Sequence, residues 1–143
     1  MLLNTGWSDR YPNKSRIFNS EQYDDPSTYS FPGWHEDAAQ WLLDERKIKA
    51  LGGDTPSFDS ARSTTFPVHQ LILGRGIVGL ENVANLDNVP ESGSMVFIAV
   101  FKLFDGSGGP TRMFATVSTG DAAFNLASKC IVVLTVFFHR FVM

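Results

Sequence analysis

The residues best suited to chemistry in this sequence are an imidazole and a carboxylate, His69 and Glu81. A ring nitrogen and a carboxylate oxygen form the mixed N/O donor set that zinc or manganese accepts. The two do not share a helix face. His69 lies in a short predicted helix, whereas Glu81 ends the apolar run Ile77-Val78-Gly79-Leu80 and is drawn toward the interior. A buried carboxylate requires a cation, a metal or several donors. Two ligands do not make a tight site. By residue type alone the pair reads first as a hydrogen-bonded core histidine and a partly exposed strand-end glutamate. Asp54 and Asp59 flank Thr55-Pro56-Ser57, where side-chain oxygens cap turns. Cys130, the single cysteine, excludes an intrachain disulfide framework and a Cys-only zinc site. No third group orients it with a histidine as a nucleophile.

Two glycine patterns are set aside. Gly74-Arg75-Gly76-Ile77-Val78-Gly79 matches G-x-G-x-x-G, but the dinucleotide mechanism needs a strand before the glycines and a helix after them. Here a helix precedes and a strand follows. Gly106-Ser107-Gly108-Gly109 lacks the Gly-Lys-Ser/Thr that cradles phosphate and reads as a turn.

The elements that must position these residues have α/β character. A strand end is expected at Met1–Trp7, then a long polar loop over 8–33 with one helical turn near Ser15–Phe18. Trp34–Lys47 reads as an amphipathic helix with Ala38, Trp41, Leu42 and Glu45 on one side, His35 at its start and Glu36 and Asp37 in the first turn, where the helix dipole favours acids. A short strand at Ile48–Leu51 ends at Gly52-Gly53. Pro67 opens a helix through Leu73. Ile77–Leu80 is a strand, Asn82–Val89 a turn or short helix closed by Pro90, and Met95–Phe104 a strand whose unbroken apolar character predicts burial on both faces. Asp105–Pro110 turns into a return strand, Thr111–Val117.

The chain has 143 residues, 43% of them hydrophobic and 19% charged, enough apolar content for one domain. The net charge of −3 provides no global basic field for nucleic acid or anionic lipid. The apolar run Cys130–Phe138 is shorter than the ~20 residues of a membrane span; a displaced or added β-strand and an extension unrelated to the rest of the chain are equal expectations for it, and a membrane partner is not expected. No secretory leader is visible, which points to the cytoplasm.

Taken together, the motifs resemble the C-terminal half of the cyclase-like metal hydrolases, the family of kynurenine formamidase and isatin hydrolase. Thr5-Gly6-Trp7 is similar to the family's strand-ending Thr-Gly-Trp. Phe31-Pro32-Gly33 with Asp37-Ala38-Ala39-Gln40-Trp41-Leu42 resembles its Pro-Gly-x-x-x-x-Ala-Ala-x-Trp-Leu helix. Gly52-Gly53-Asp54-Thr55-Pro56-Ser57-Phe58-Asp59 resembles Gly-x-Asp-Thr-x-Ser-x-Asp. Phe66-Pro67-Val68-His69, Leu80-Glu81-Asn82-Val83-Ala84-Asn85-Leu86 and Gly108-Gly109-Pro110-Thr111-Arg112 follow in the family's order. Each is weak alone, and six in order are specific.

The resemblance implies an α/β, mixed-sheet swivelling β/β/α-type fold, N-terminally truncated, over residues 1–115, with 116–143 an apolar extension foreign to the family. It implies a two-metal hydrolase of small amides such as N-formylkynurenine, in tryptophan catabolism, in which water made acidic by zinc or manganese attacks a carbonyl carbon. His69 and Glu81 would be ligands of the second metal. Asp54, Ser57 and Asp59 would shape the neighbourhood, and Asn82 and Asn85 would support the ligands. The family's His-x-x-x-His-x-Asp signature, which supplies the other ligands and the catalytic His, is absent, so no catalytic residue is assigned. Met1 falls inside a family strand. The alternative is a non-catalytic fragment or interaction protein, acting as a homo-oligomer or paired with a full-length relative.

Overall fold

A computed structural model of the chain describes residues 1–117 and 129–135. The chain divides into two compact units, Met1–Val83 and Ala84–Met143.

The first unit is built on a parallel three-stranded sheet, β1 (Leu2–Leu3), β2 (Ala50–Gly53) and β3 (Val78–Leu80), in the order β1-β2-β3. Leu2 and Leu3 pair with Gly52 and Gly53, and Ala50, Leu51 and Gly52 pair with Val78, Gly79 and Leu80. Parallel neighbours require crossovers. The first carries α1 (Lys14–Phe18) and α2 (Glu36–Arg46), and the second carries α3 (Pro67–Leu73). Short 3-10 turns at Trp7–Arg10 and Pro26–Thr28 punctuate the long loop. Asn13 caps α1 by accepting from the Arg16 N–H, and His35 caps α2 through Nδ1. Gly52 is required by close approach: a Cβ there would lie 2.2 Å from the Leu80 carbonyl oxygen.

The core of this unit joins Ala39, Leu42 and Leu43 of α2 to Leu51, Phe58, Val68 and Ile72. The buried face of α2 therefore differs from the sequence expectation. Ala38 and Glu45 are exposed, Trp41 is 49% exposed, and the contact face runs through Ala39, Leu42 and Leu43. Both sets have helical spacing, and Trp41 is kept outward with the Arg46 guanidinium 4.8 Å from its ring.

The second unit contains an antiparallel sheet, β4 (Met95–Val100), β5 (Thr111–Val117) and β6 (Lys129–Thr135), in that order. β5 alternates as a central strand should, with Thr111, Met113 and Ala115 buried. β6 begins one residue before the apolar run and takes in its first six residues, pairing Cys130 with Thr116 and Leu134 with Arg112; residues 136–143, with His139, lie outside the described residues. β4 overturns the expectation of burial on both faces. Met95 is 63% and Val100 58% exposed, and Ile98 alone in the strand is half-buried. Among the described residues β4 pairs only with β5, so it is an edge strand, and its apolar run does not mark a central position. No helix among the described residues is long and apolar enough to cross a membrane.

Candidate functional site

The second crossover brings His69 back to the end of β3. Pro67 and Val68 open α3, which places His69 on its first turn, and Glu81 follows directly on Leu80. The His69 Nε2 atom lies 3.3 Å from Glu81 Oε1, and both side chains are largely buried, 16% and 14% exposed. On the other side of the ring, Nδ1 lies 2.7 Å from Asp59 Oδ2. The imidazole is stacked against Phe58, with centroids 3.7 Å apart, and meets the edge of Phe66.

Asp59 is 1% exposed and holds more than the ring. It accepts hydrogen bonds from the backbone N–H groups of Val68 (3.0 Å) and His69 (2.9 Å). These are orphan donors of the first turn of α3, a helix whose N-cap, Phe66, has no side-chain acceptor. One carboxylate thus caps the helix from outside and orients the imidazole it carries.

Asp54, fully buried, faces the other way. It accepts from Thr5 N–H (3.0 Å), the Thr5 hydroxyl (2.7 Å), Trp7 N–H (2.6 Å) and Ser8 N–H (3.4 Å). The local turn bonds expected of this stretch are made by its neighbours: the Thr55 hydroxyl donates to the Ser57 carbonyl, and Ser57 Oγ accepts from Asp59 N–H. Asn82 follows Glu81 with φ 54° and accepts a hydrogen bond from the Tyr11 hydroxyl. Asn85 belongs to the second unit, where with φ 60° it heads the 3-10 turn Leu86–Asn88. Sequence reasoning missed Tyr11, Phe58 and Phe66. Phe58 and Phe66 stood inside the quoted motifs without an assigned role, but Tyr11 carried no local mark.

Burial disfavours a charge on His69, but hydrogen bonds to Asp59 and Glu81 and the field of both carboxylates outweigh it and raise its pKa to about 9. Burial and the charge of Glu81 push the Tyr11 phenol up to about 12. Without metal, the protonated ring is favoured by folding. Its contribution is fully present below the unfolded value of 6.5 and is lost as pH rises through about 9. Urea unfolding of chelator-treated protein should show stability falling across this window, and His69→Gln should flatten the fall.

The donor set fits a metal in part. Nε2 and Oε1 at 3.3 Å match two ligands on one tetrahedral ion, which lie about 3.4 Å apart for bonds of about 2.1 Å. Asp59 on Nδ1 supplies the carboxylate–histidine arrangement that presents Nε2 to a metal. Asp59 faces the ring and backbone, leaving two donors. Among the described residues no group of three or more His, Cys, Asp or Glu is placed to hold an ion.

Residues 1–60 match the family described as "Putative cyclase". The chain is 29% identical over 121 residues to an isatin hydrolase of Roseibium aggregatum, covering 82% of this chain and 44% of that protein. It is 39% identical over 71 residues to a kynurenine formamidase of Polaromonas naphthalenivorans, covering 50% and 31% of the two chains. The solved isatin hydrolase A of Ralstonia solanacearum superposes with a TM-score of 0.74 at 30% identity, over 82% of this chain and 44% of that one. The chain is similar to cyclase-like proteins and shares the mixed α/β fold of the solved isatin hydrolase over the matched residues. It spans less than half the length of these relatives.

Proposed function

We propose that this chain carries one half of the metal site of an amidohydrolase acting on small amides of the N-formylkynurenine type. The observation that carries the reading is His69, with Nδ1 on buried Asp59 and Nε2 facing Glu81 at 3.3 Å. Relatives named for hydrolysing isatin and a kynurenine formamide support the reaction class. His69 and Glu81 would hold zinc or manganese, which when bound supplies Lewis-acid polarisation of a carbonyl and lowers the pKa of water. Asp59 fixes the tautomer and aim of His69, Phe58 keeps one ring face dry, and Asn82 braces the backbone that leaves Glu81.

Titration of the metal-free chain with zinc or manganese tests this. Binding of an ion that His69→Ala and Glu81→Gln each abolish is the expected result, with turnover of N-formylkynurenine once the missing ligands are supplied by another chain. A chain that takes up no metal and is inactive sinks the enzyme reading. The second reading is a non-catalytic interaction protein that pairs with itself or with a full-length relative. It is favoured by the sequence's three histidines, His35, His69 and His139, which form no His-x-x-x-His-x-Asp. Inactivity together with self-association, or with binding to a full-length relative, in sedimentation would decide for it.

A further inference from the structure

We infer that Tyr11 is a positioning residue of this site, acting through Asn82 to hold Glu81 against His69. Its purpose rests on the metal-site reading above, and its geometry rests on separate contacts. The Tyr11 hydroxyl donates to Asn82 Oδ1 across 71 positions of sequence. Asn82 directly follows Glu81, and its φ of 54° is in the left-handed region that asparagine tolerates better than most residues. Its N–H donates to the Thr55 carbonyl (2.9 Å), and the next N–H, of Val83, donates to Gly53 (3.0 Å). The backbone leaving Glu81 is therefore stitched to the end of β2, and its first side chain is stitched to Tyr11.

Tyr11 is half-exposed and is held through the segment before it: its N–H donates to the Ser8 carbonyl (3.3 Å). Asp54 holds the N–H groups of Trp7 and Ser8, and the Arg10 guanidinium lies 3.5 Å over the Trp7 ring, with its Nη1 donating to the Arg16 carbonyl at 3.0 Å. The first part of the long loop after β1 thus braces the residue that follows the ligand Glu81. Loss of the brace leaves the φ-positive turn held by its two backbone bonds alone and loosens the Glu81 carboxylate against His69.

Tyr11→Phe removes the hydroxyl and keeps the ring. Zinc titration of the metal-free variant should show binding weakened about tenfold, as for other partners of ligand residues, while the urea midpoint stays in place. Nitrogen-15 spectra of the metal-free variant should show displaced amide signals for Glu81 and Asn82 and a displaced His69 Nε2 signal. Asn82→Ala should reproduce the loss, and the double variant should be no worse than Asn82→Ala alone. Equal zinc affinity and unmoved signals in Tyr11→Phe overturn the inference while leaving the metal site intact. If the unaltered chain binds no zinc, the metal-site reading fails, and the metal-free spectra decide separately: displaced signals support the brace, and unmoved ones refute it.

Discussion

Replacing Asp59 with Ala is expected to cost about 3–5 kcal/mol of folding stability, the range for breaking a buried charged pair, and to abolish metal uptake. Two effects combine. The N–H groups of Val68 and His69 lose their side-chain acceptor at the start of α3, where Val68 is fully buried. Each unsatisfied buried donor costs about 1–3 kcal/mol. The imidazole of His69 also loses the partner on Nδ1 that aims it at Glu81. Against the ~5–15 kcal/mol that holds a typical domain together, such a loss is severe. Urea unfolding should show a lower midpoint at unchanged slope. Asp59→Asn, which keeps one acceptor oxygen, should fall between the two. A loss under about 1 kcal/mol in Asp59→Ala would mean that the carboxylate is not the cap the geometry describes, since even one lost cap costs about that much.

Asp54→Ala is expected to be nearly as damaging to stability, by about 3 kcal/mol or more, because hydrogen bonds to a charged group are individually worth about 1.5–3 kcal/mol. Asp54 gathers three backbone N–H groups and one hydroxyl from residues Thr5, Trp7 and Ser8. Its removal should release the segment that leads to Tyr11 before it unfolds the unit. The segment contains Arg10, Lys14 and Arg16, so trypsin should cut there early in Asp54→Ala and late in the unaltered chain. Global loss of stability without early cutting would show that Asp54 serves the core and not the segment.

The sequence carried the local elements well. The Pro67–Leu73 helix, the turn before Thr111 and the return strand to Val117 stand where proline, glycine and the apolar pattern placed them. Turn and cap preferences act within a few residues, so a short window contains what decides them. The faces were less legible. The α2 stripe through Ala38, Trp41 and Leu42 and the one through Ala39, Leu42 and Leu43 have the same spacing, and only the arrival of α3 and Leu51 chose between them. β4 has the composition of a central strand and the place of an edge strand, because pairing is a property of the sheet and not of the strand.

The candidate site divides the same way. By itself the sequence determined which donors exist: His69, Glu81, Asp54, Ser57, Asp59 and the asparagines, in an order that resembles one family. It did not determine who meets whom. That Asp59 reaches His69 and the first turn of α3, that Asp54 turns instead to Thr5, Trp7 and Ser8, and that Tyr11 reaches Asn82 were decided only by the tertiary structure. Hydrogen bonds between distant residues form where parallel strands and their crossovers bring backbones together, and no local preference of either partner encodes that meeting.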